Sequence, residues 1–263
     1  MTTQERISNW LLNYATKAEK TGFVVGVSGG IDSAVTSTLC ALTGLRTDCV
    51  LMPIQQNPQH TDRGFKHIEW LMKQAPGKAF LITLPLGTVY DSLVWILPKV
   101  NDLALANAKA RLRMTALYAL ACSNNLLVAG TGNKVEDYGC GFFTKYGDGG
   151  VDISPIGSLT KTEVWQLGRE LGINQEIIDA IPTDGLWSDD RADETQIGCS
   201  YPELEWAMDW LDQYPATLHE LIVTMMNQGL FSTQLNAEKQ RIINIYWAFH
   251  ARNAHKNALP PIC

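Results

Sequence analysis

Phe23-Val-Val-Gly-Val-Ser-Gly-Gly-Ile-Asp-Ser33 is the stretch that decides the architecture. Phe23–Val27 is short, apolar and β-branched, and reads as a buried strand. Ser28–Ser33 is a glycine-rich turn. From Asp32 to Leu42 apolar residues recur at helical spacing, and Gly44 ends the helix. In an open parallel sheet, ligands bind where strand C-ends meet helix N-ends. Gly29 and Gly30 let a ligand approach the backbone closely. Ser28 and Ser33 add hydroxyls, and the helix start offers free N–H groups with partial positive charge. The turn is therefore an anion cradle. It lacks the lysine of a Walker loop and the spacing of Gly-x-Gly-x-x-Gly, so it holds phosphate in another way. Asp32 would repel that phosphate unless a cation lay between them. Mg²⁺, which takes one or two carboxylates plus phosphate oxygens, suits the position. Read without a ligand, the same string is a turn with Asp32 as a plain N-cap.

The rhythm continues outward. Cys49–Ile54, Ala79–Thr83 and Leu126–Gly130 read as further strands, with helices at Thr61–Gln74 and Asn101–Ser123. Phe65, Ile68, Leu71 and Met72 mark the expected inner side of the first helix. Leu103, Ala110, Met114, Leu117 and Ala121 mark that of the second. Strands alternating with helices predict an α/β fold: a doubly wound, mostly parallel sheet with helices on both faces. Residues 131–158 hold seven glycines without a period, as long functional loops do. Thr160–Leu171, Pro202–Gln213, Leu218–Asn227 and Gln234–Arg252 predict a helical C-terminal third. No repeat or linker interrupts residues 1–263, so a single domain is expected.

Composition excludes several classes. Of 263 residues, 46% are apolar and 18% charged, which is globular and not disordered. A net charge of −6 argues against a nucleic-acid partner. From Asp184 to Asp212, nine acidic residues accompany one basic residue, Arg191. Such a run is a solvated face or a loop that handles a cation. The cysteines at 40, 49, 122, 140, 199 and 263 show no zinc spacing and read as free thiols of a reducing compartment. Cys40 and Cys122 fall in helical apolar patterns and read as core. No run approaches the about 20 apolar residues of a membrane helix, and the N-terminal pattern is amphipathic, unlike a signal peptide. A cytoplasmic protein without a membrane partner is expected.

Ser28-Gly-Gly-Ile-Asp-Ser33 after an apolar strand resembles the pyrophosphate loop of the N-type ATP pyrophosphatases. These split ATP to AMP and pyrophosphate while adenylating a carboxylate or carbonyl. Three more strings narrow the choice: Ala110-Arg-Leu-Arg-Met114, Gly130-Thr-Gly-Asn-Lys-Val-Glu-Asp137, and Gly141-Phe-Phe-Thr-Lys-Tyr-Gly-Asp-Gly-Gly-Val-Asp-Ile-Ser-Pro-Ile156. Together they resemble the ammonia-dependent NAD synthetase family, from about Gly22 to Pro261. The resemblance implies a homodimeric ligase that uses ATP, Mg²⁺ and ammonia to amidate deamido-NAD. The reaction would pass through an adenylated nicotinate and yield NAD, AMP and pyrophosphate, with deamido-NAD bound at the subunit interface.

By that resemblance ATP would meet Gly26, Val27, Ser28, Gly29, Gly30, Ile31, Asp32, Ser33, Thr131, Lys161 and Thr183. Asp32 and Glu136 would hold Mg²⁺, with Asp32 and Lys161 as catalytic residues. Arg111, Lys145, Asp152, His255 and Lys256 would bind deamido-NAD. The residues' own chemistry stands beside this. Glu136 follows a strand C-end and so reaches the crevice of Asp32. Thr160-Lys-Thr-Glu163 is a capping box that opens a helix. Lys161 in its first turn opposes the helix dipole, a local violation of the kind found at functional sites. With open N–H groups it would form an anion site; otherwise it is a surface lysine. Arg111 and Arg113 point about 200° apart on their helix. Arg113 lies nearer the apolar face, Arg111 aligns with the family's dinucleotide-binding arginine, and the residues themselves leave the roles open. Lys145 and Asp152 alone would read as ordinary loop residues. Asp193-Glu194 starts a family-like Asp-Glu-Thr-x-x-Gly string on an expected mobile loop. In the tail, Asn257 stands where the family has an arginine. Too few residues precede the first strand for a glutaminase segment, so free ammonia is the expected donor. A tRNA-modifying relative would need a basic extension. A non-catalytic nucleotide sensor would be expected to have lost Asp32, Glu136 or Lys161.

Overall fold

A computed structural model of the protein describes residues 1–187, 189–230 and 235–262. Four strands, β1 (Gly22–Gly26), β2 (Arg46–Leu51), β3 (Ala79–Thr83) and β4 (Leu126–Val128), form one parallel sheet in the order β3-β2-β1-β4. The helices are α1 (Thr3–Lys17), α2 (Ile31–Leu42), α3 (Pro58–Gln74), α4 (Gly87–Ile96), α5 (Asp102–Asn124) and α6 (Lys161–Glu170). They are followed by α7 (Gln175–Ile178), α8 (Asp193–Ile197), α9 (Tyr201–Leu211), α10 (His219–Asn227) and α11 (Ala237–Asn253).

Side chains alternate across a strand, and here the alternation sorts two cores. Phe23 and Val25 of β1 pack with α1, α2 and α6, whereas Val24 packs with Val50, Val128 and Ala121 of α5. Cys49 and Leu51 of β2 meet Ile68 and Leu71 of α3. Helices thus cover both faces, as expected for a doubly wound sheet. A third core joins Val135 and Cys140 to α9, α10 and α11, which form the helical C-terminal region. The sheet order reverses between β1 and β4, so a crevice opens beyond their C-ends.

Several expected boundaries and faces shift. β1 and β2 start and end earlier than apolarity suggests, and β4 stops at Val128, with one bridge from Ala129 to Ile153 beyond it. The glycine-rich stretch is not wholly irregular: Lys134–Cys140 is a π-helical turn. Phe65 and Met72 of α3 are exposed, and His60, Gly64 and His67 take the inner face with Ile68 and Leu71. Leu103 and Cys122 of α5 also face outward, whereas Cys40 is buried as expected. α4 lies outside the expected elements, and Tyr90 is its buried residue. The expected helix start at Gln234, like Cys263, lies outside the described residues; α11 begins at Ala237. Among the described residues no helix is long and apolar enough to cross a membrane.

Candidate active site

The loop after β1 folds on its own hydroxyls. Ser33 Oγ accepts from the Ser28 N–H at 3.2 Å and donates to the Gly30 carbonyl at 2.9 Å. The Gly30 N–H donates to Ser28 Oγ at 3.2 Å. Gly30 is the N-cap of α2 and brings no side chain to the helix start, so the first-turn N–H groups keep their capacity for an anion. Asp32 is therefore not the plain N-cap. Gly29 has φ +87°, and an added Cβ there would lie 2.2 Å from the His60 carbonyl oxygen. Its missing side chain lets α3 press against the loop.

Lys161 lies at the start of α6 behind the expected capping box: the Thr160 N–H donates to Glu163 Oε2 at 2.8 Å, and the Glu163 N–H to Thr160 Oγ1 at 3.3 Å. Its ammonium is not a surface group. The residue is 2% exposed, and Nζ lies 2.6 Å from Asp32 Oδ2 and 2.8 Å from Glu136 Oε1. Nor is the start of α6 an open anion site, because the Thr162 N–H is spent on Glu205 Oε1 at 2.9 Å and that of Glu163 on Thr160. Asn133, fully buried, donates to Asp32 Oδ1 at 3.0 Å and caps the π-helical turn by accepting from the N–H groups of Val135 and Glu136. This cap aims Glu136 at Lys161.

Charge decides what the cluster can hold. Two carboxylates share one ammonium, leaving one negative charge in excess. Burial opposes charge on Lys161, but Asp32 and Glu136 outweigh it and hold its pKa above the ordinary lysine range. Burial also pushes both carboxylates up. For Glu136 the Lys161 charge and bonds from Lys161, Tyr201 and Asn133 prevail, and its pKa falls below the usual value. For Asp32 burial, aided by the Glu136 charge, prevails, and its pKa is raised. Two hard oxygen donors converging on one cation, with charge to spare, suit Mg²⁺. Among the described residues no three His, Cys, Asp or Glu side chains converge on a metal position. Phosphate oxygens of a nucleotide would therefore have to complete the shell.

The cluster lies in a cleft of about 260 Å³ beyond the sheet's C-terminal edge. Every residue expected at ATP or metal lines it except Gly29, which faces α3. A family model described as NAD synthase matches residues 3–260. The chain belongs to the NAD synthase family. It is thus an enzyme of the ligase class, on the ATP pyrophosphatase fold. The NH(3)-dependent NAD(+) synthetase of Carboxydothermus hydrogenoformans is 41% identical over 207 residues, 76% of this chain and 82% of that protein. The protein of the same name from Methanosarcina acetivorans is 36% identical over 98% of this chain and 96% of its own. Among solved structures, an NMN synthetase from Francisella tularensis superposes with a TM-score of 0.82 at 32% identity, covering 99% of this chain and 97% of that one. The NH3-dependent NAD synthetase of Campylobacter jejuni, in complex with nitrate, gives 0.75 at 25% identity, with 99% and 97% covered.

The dinucleotide residues implied by the NAD synthase resemblance lie outside this cleft. Arg111 is exposed on α5 and donates to the Lys145 carbonyl at 3.3 Å. Lys145 Nζ donates to the carbonyls of His255 and Ala258, each at 2.7 Å. Lys256 Nζ donates to those of Gly141 and Phe143, each at 2.8 Å. Asp152 accepts from the Tyr118 hydroxyl at 3.0 Å and the Val128 N–H at 2.8 Å. The tail is therefore folded back onto residues 141–145. Arg113 takes the inner position: it lines the cleft and donates to the Met52 carbonyl at 3.1 Å and to Gln56 Oε1 at 2.6 Å, with burial pulling its pKa down to about 10.

Three contributors were missed or misplaced. Asn133 was legible as a helix-capping asparagine three residues before Glu136. Asp193 opens a short helix, α8, where a loop is expected; it is 5% exposed, and burial together with the Glu136 charge raises its pKa to about 7. Tyr201 carried no local signal at all.

Proposed function

We propose that this chain joins ammonia to deamido-NAD at the expense of ATP, giving NAD, AMP and pyrophosphate. The observation that carries the reading is the buried Asp32–Lys161–Glu136 cluster at the mouth of the phosphate loop. In the first step a nicotinate carboxylate oxygen forms a bond to the α-phosphorus and the bond to pyrophosphate breaks. In the second, ammonia forms the C–N bond, AMP leaves with the acyl oxygen, and the nitrogen loses a proton. The free N–H groups of α2 would hold and orient the phosphates, and Lys161 would meet the charge that grows on the departing pyrophosphate. Asp32 and Glu136 would hold Mg²⁺, which when bound withdraws charge from the phosphate oxygens. Thr131 and Thr183 would complete the ATP contacts. Positioning does most of the remaining work.

Arg111, Lys145, Asp152, His255 and Lys256 would serve the dinucleotide on the outer face of α5. α4, which packs against α5, exposes Trp95 at 87% and Ile96 at 67%, which supports a second copy of the chain covering this apolar surface. Sedimentation of the purified protein tests the dimer.

A second reading has one observation behind it. The Francisella tularensis structure is that of an NMN synthetase, and the same chemistry would amidate nicotinate mononucleotide. Product formation with each pyridine substrate, ATP, Mg²⁺ and either NH₄Cl or glutamine decides between them. The main reading expects deamido-NAD and NH₄Cl to give the highest kcat/KM, rising from pH 7 to 8.5 as free NH₃ grows. Preference for the mononucleotide supports the second reading, and no amide from either substrate sinks both.

A further inference from the structure

Tyr201, the first residue of α9, is fully buried and touches three charged groups of the cleft at once. Its hydroxyl donates to Glu136 Oε1 at 2.5 Å and lies 3.2 Å from Asp193 Oδ2. Its ring faces Lys161, whose Nζ is 4.7 Å from the centroid. The ring is pinned edge-on by Trp165, with centroids 5.9 Å apart at 88°. The backbone N–H of Tyr201 donates to Glu194 Oε1 at 3.0 Å.

A phenol has one proton to give, and the shorter contact assigns it to Glu136. Lys161 Nζ and the Tyr201 hydroxyl both bond Oε1 of Glu136. Oε2 takes part in neither bond. Across the hydroxyl lies Asp193, whose Oδ1 is buried without a partner and whose residue lines the cleft. Without the hydroxyl, the Glu136 carboxylate would lose a tether on Oε1 and face a second carboxylate across a gap.

We propose that Tyr201 is a positioning residue: its hydroxyl fixes Glu136 so that Oε2 is presented to the divalent cation. The proposal rests on the reading of Asp32 and Glu136 as the metal carboxylates. Phe at 201 keeps the ring, the Trp165 contact and the cation–π contact, and removes only the hydroxyl.

The test uses the full-length enzyme with a non-hydrolysable ATP analogue. Mn²⁺ binding is followed by the electron-spin resonance of the free ion, and Mg²⁺ dependence by the rate of pyrophosphate release with ATP. Tyr201→Phe is expected to weaken Mn²⁺ binding, and to raise the half-saturating Mg²⁺ concentration, by about ten- to a hundredfold, the factor for one hydrogen bond to a charged group. Asp193→Asn, which leaves the Tyr201–Glu136 bond in place, is expected to change Mn²⁺ binding by less than about twofold. The proposal is overturned if Tyr201→Phe binds Mn²⁺ like the wild type, whatever its melting temperature. It is overturned equally if Asp193→Asn weakens binding as much, since the cause would then be local charge. Asp32→Asn separates the two layers. If it too leaves Mn²⁺ binding intact, the metal reading itself fails; if it alone weakens binding, only the role of Tyr201 fails.

Discussion

The cleft and the outer face of α5 carry motifs of one family but are built on opposite terms. In the cleft, Asp32, Asn133, Glu136, Lys161 and Tyr201 come from four separate segments and bond one another in the interior. On the outer face, Arg111, Lys145 and Lys256 spend their donors on backbone carbonyls close to solvent. A buried charge network must be complete when the chain folds, because an unpaired charge there is very costly. Surface donors on neutral carbonyls are free to change partners when an anion arrives, because the net gain of each such bond is small. The first region is bonded within itself by folding, and the second keeps donors that can be redirected.

The contrast can be broken most forcefully at Lys161. Replacing it with Met leaves Asp32 and Glu136 together without their cation. We expect a loss of stability of about 3–5 kcal/mol, with turnover abolished. A surface lysine at a helix N-terminus would do the reverse and raise the melting temperature on removal. Thermal and urea denaturation read the sign directly. Asp32→Asn should be milder for the fold, since Lys161 keeps Glu136, yet should lower turnover about 10²-fold or more. Pyrophosphate release under saturating ATP measures it, and wild-type turnover at limiting Mg²⁺ would remove Asp32 from the metal site.

Arg111→Ala sharpens the other half. Its stability change should stay within about 0.5 kcal/mol, while KM for the pyridine substrate rises about ten- to a hundredfold and KM for ATP holds. Equal losses for both substrates would erase the boundary between the two regions. The smallest effect concerns Asp193. Its pKa is raised from 3.8 to about 7 in the fold. The unfolded chain therefore ionises first, and stability is lost as pH rises from about 4 towards 7. Asp193→Asn should flatten that slope, stabilising more at pH 8 than at pH 5 in parallel denaturation curves.

The same contrast governs what could be read in advance. The cleft's loop was legible because strand, glycine turn and helix are local patterns, and Thr160–Glu163 because a capping box spans four residues. The pairing of Lys161 with Asp32 was not, since 129 residues separate them and neither neighbourhood reveals the other. Lys161 therefore read as a cation facing an open helix start, when its helix's first N–H groups were already taken. Tyr201 sits in an apolar helical stripe, where its hydroxyl gives no periodic sign. Phe65 and Met72 misled for a related reason: hydrophobicity fixes neither side of a helix when small and polar residues such as Gly64 and His67 fit the inner face better.

Gly29 and Gly64 bear on how this chain tolerates substitution. A Cβ at Gly29 would strike the His60 carbonyl, and one at Gly64 would come within 2.9 Å of Leu51 Cδ2 and 3.4 Å of the Gly29 nitrogen. The two glycines face each other across the joint between the phosphate loop and α3; position 29 cannot gain a side chain while the His60 carbonyl of α3 stays in place, whereas at 64 the nearest atom is the end of the flexible Leu51 side chain. A library that varies position 29 alone should return only glycine, and any other residue there should appear with a displaced or rebuilt start of α3.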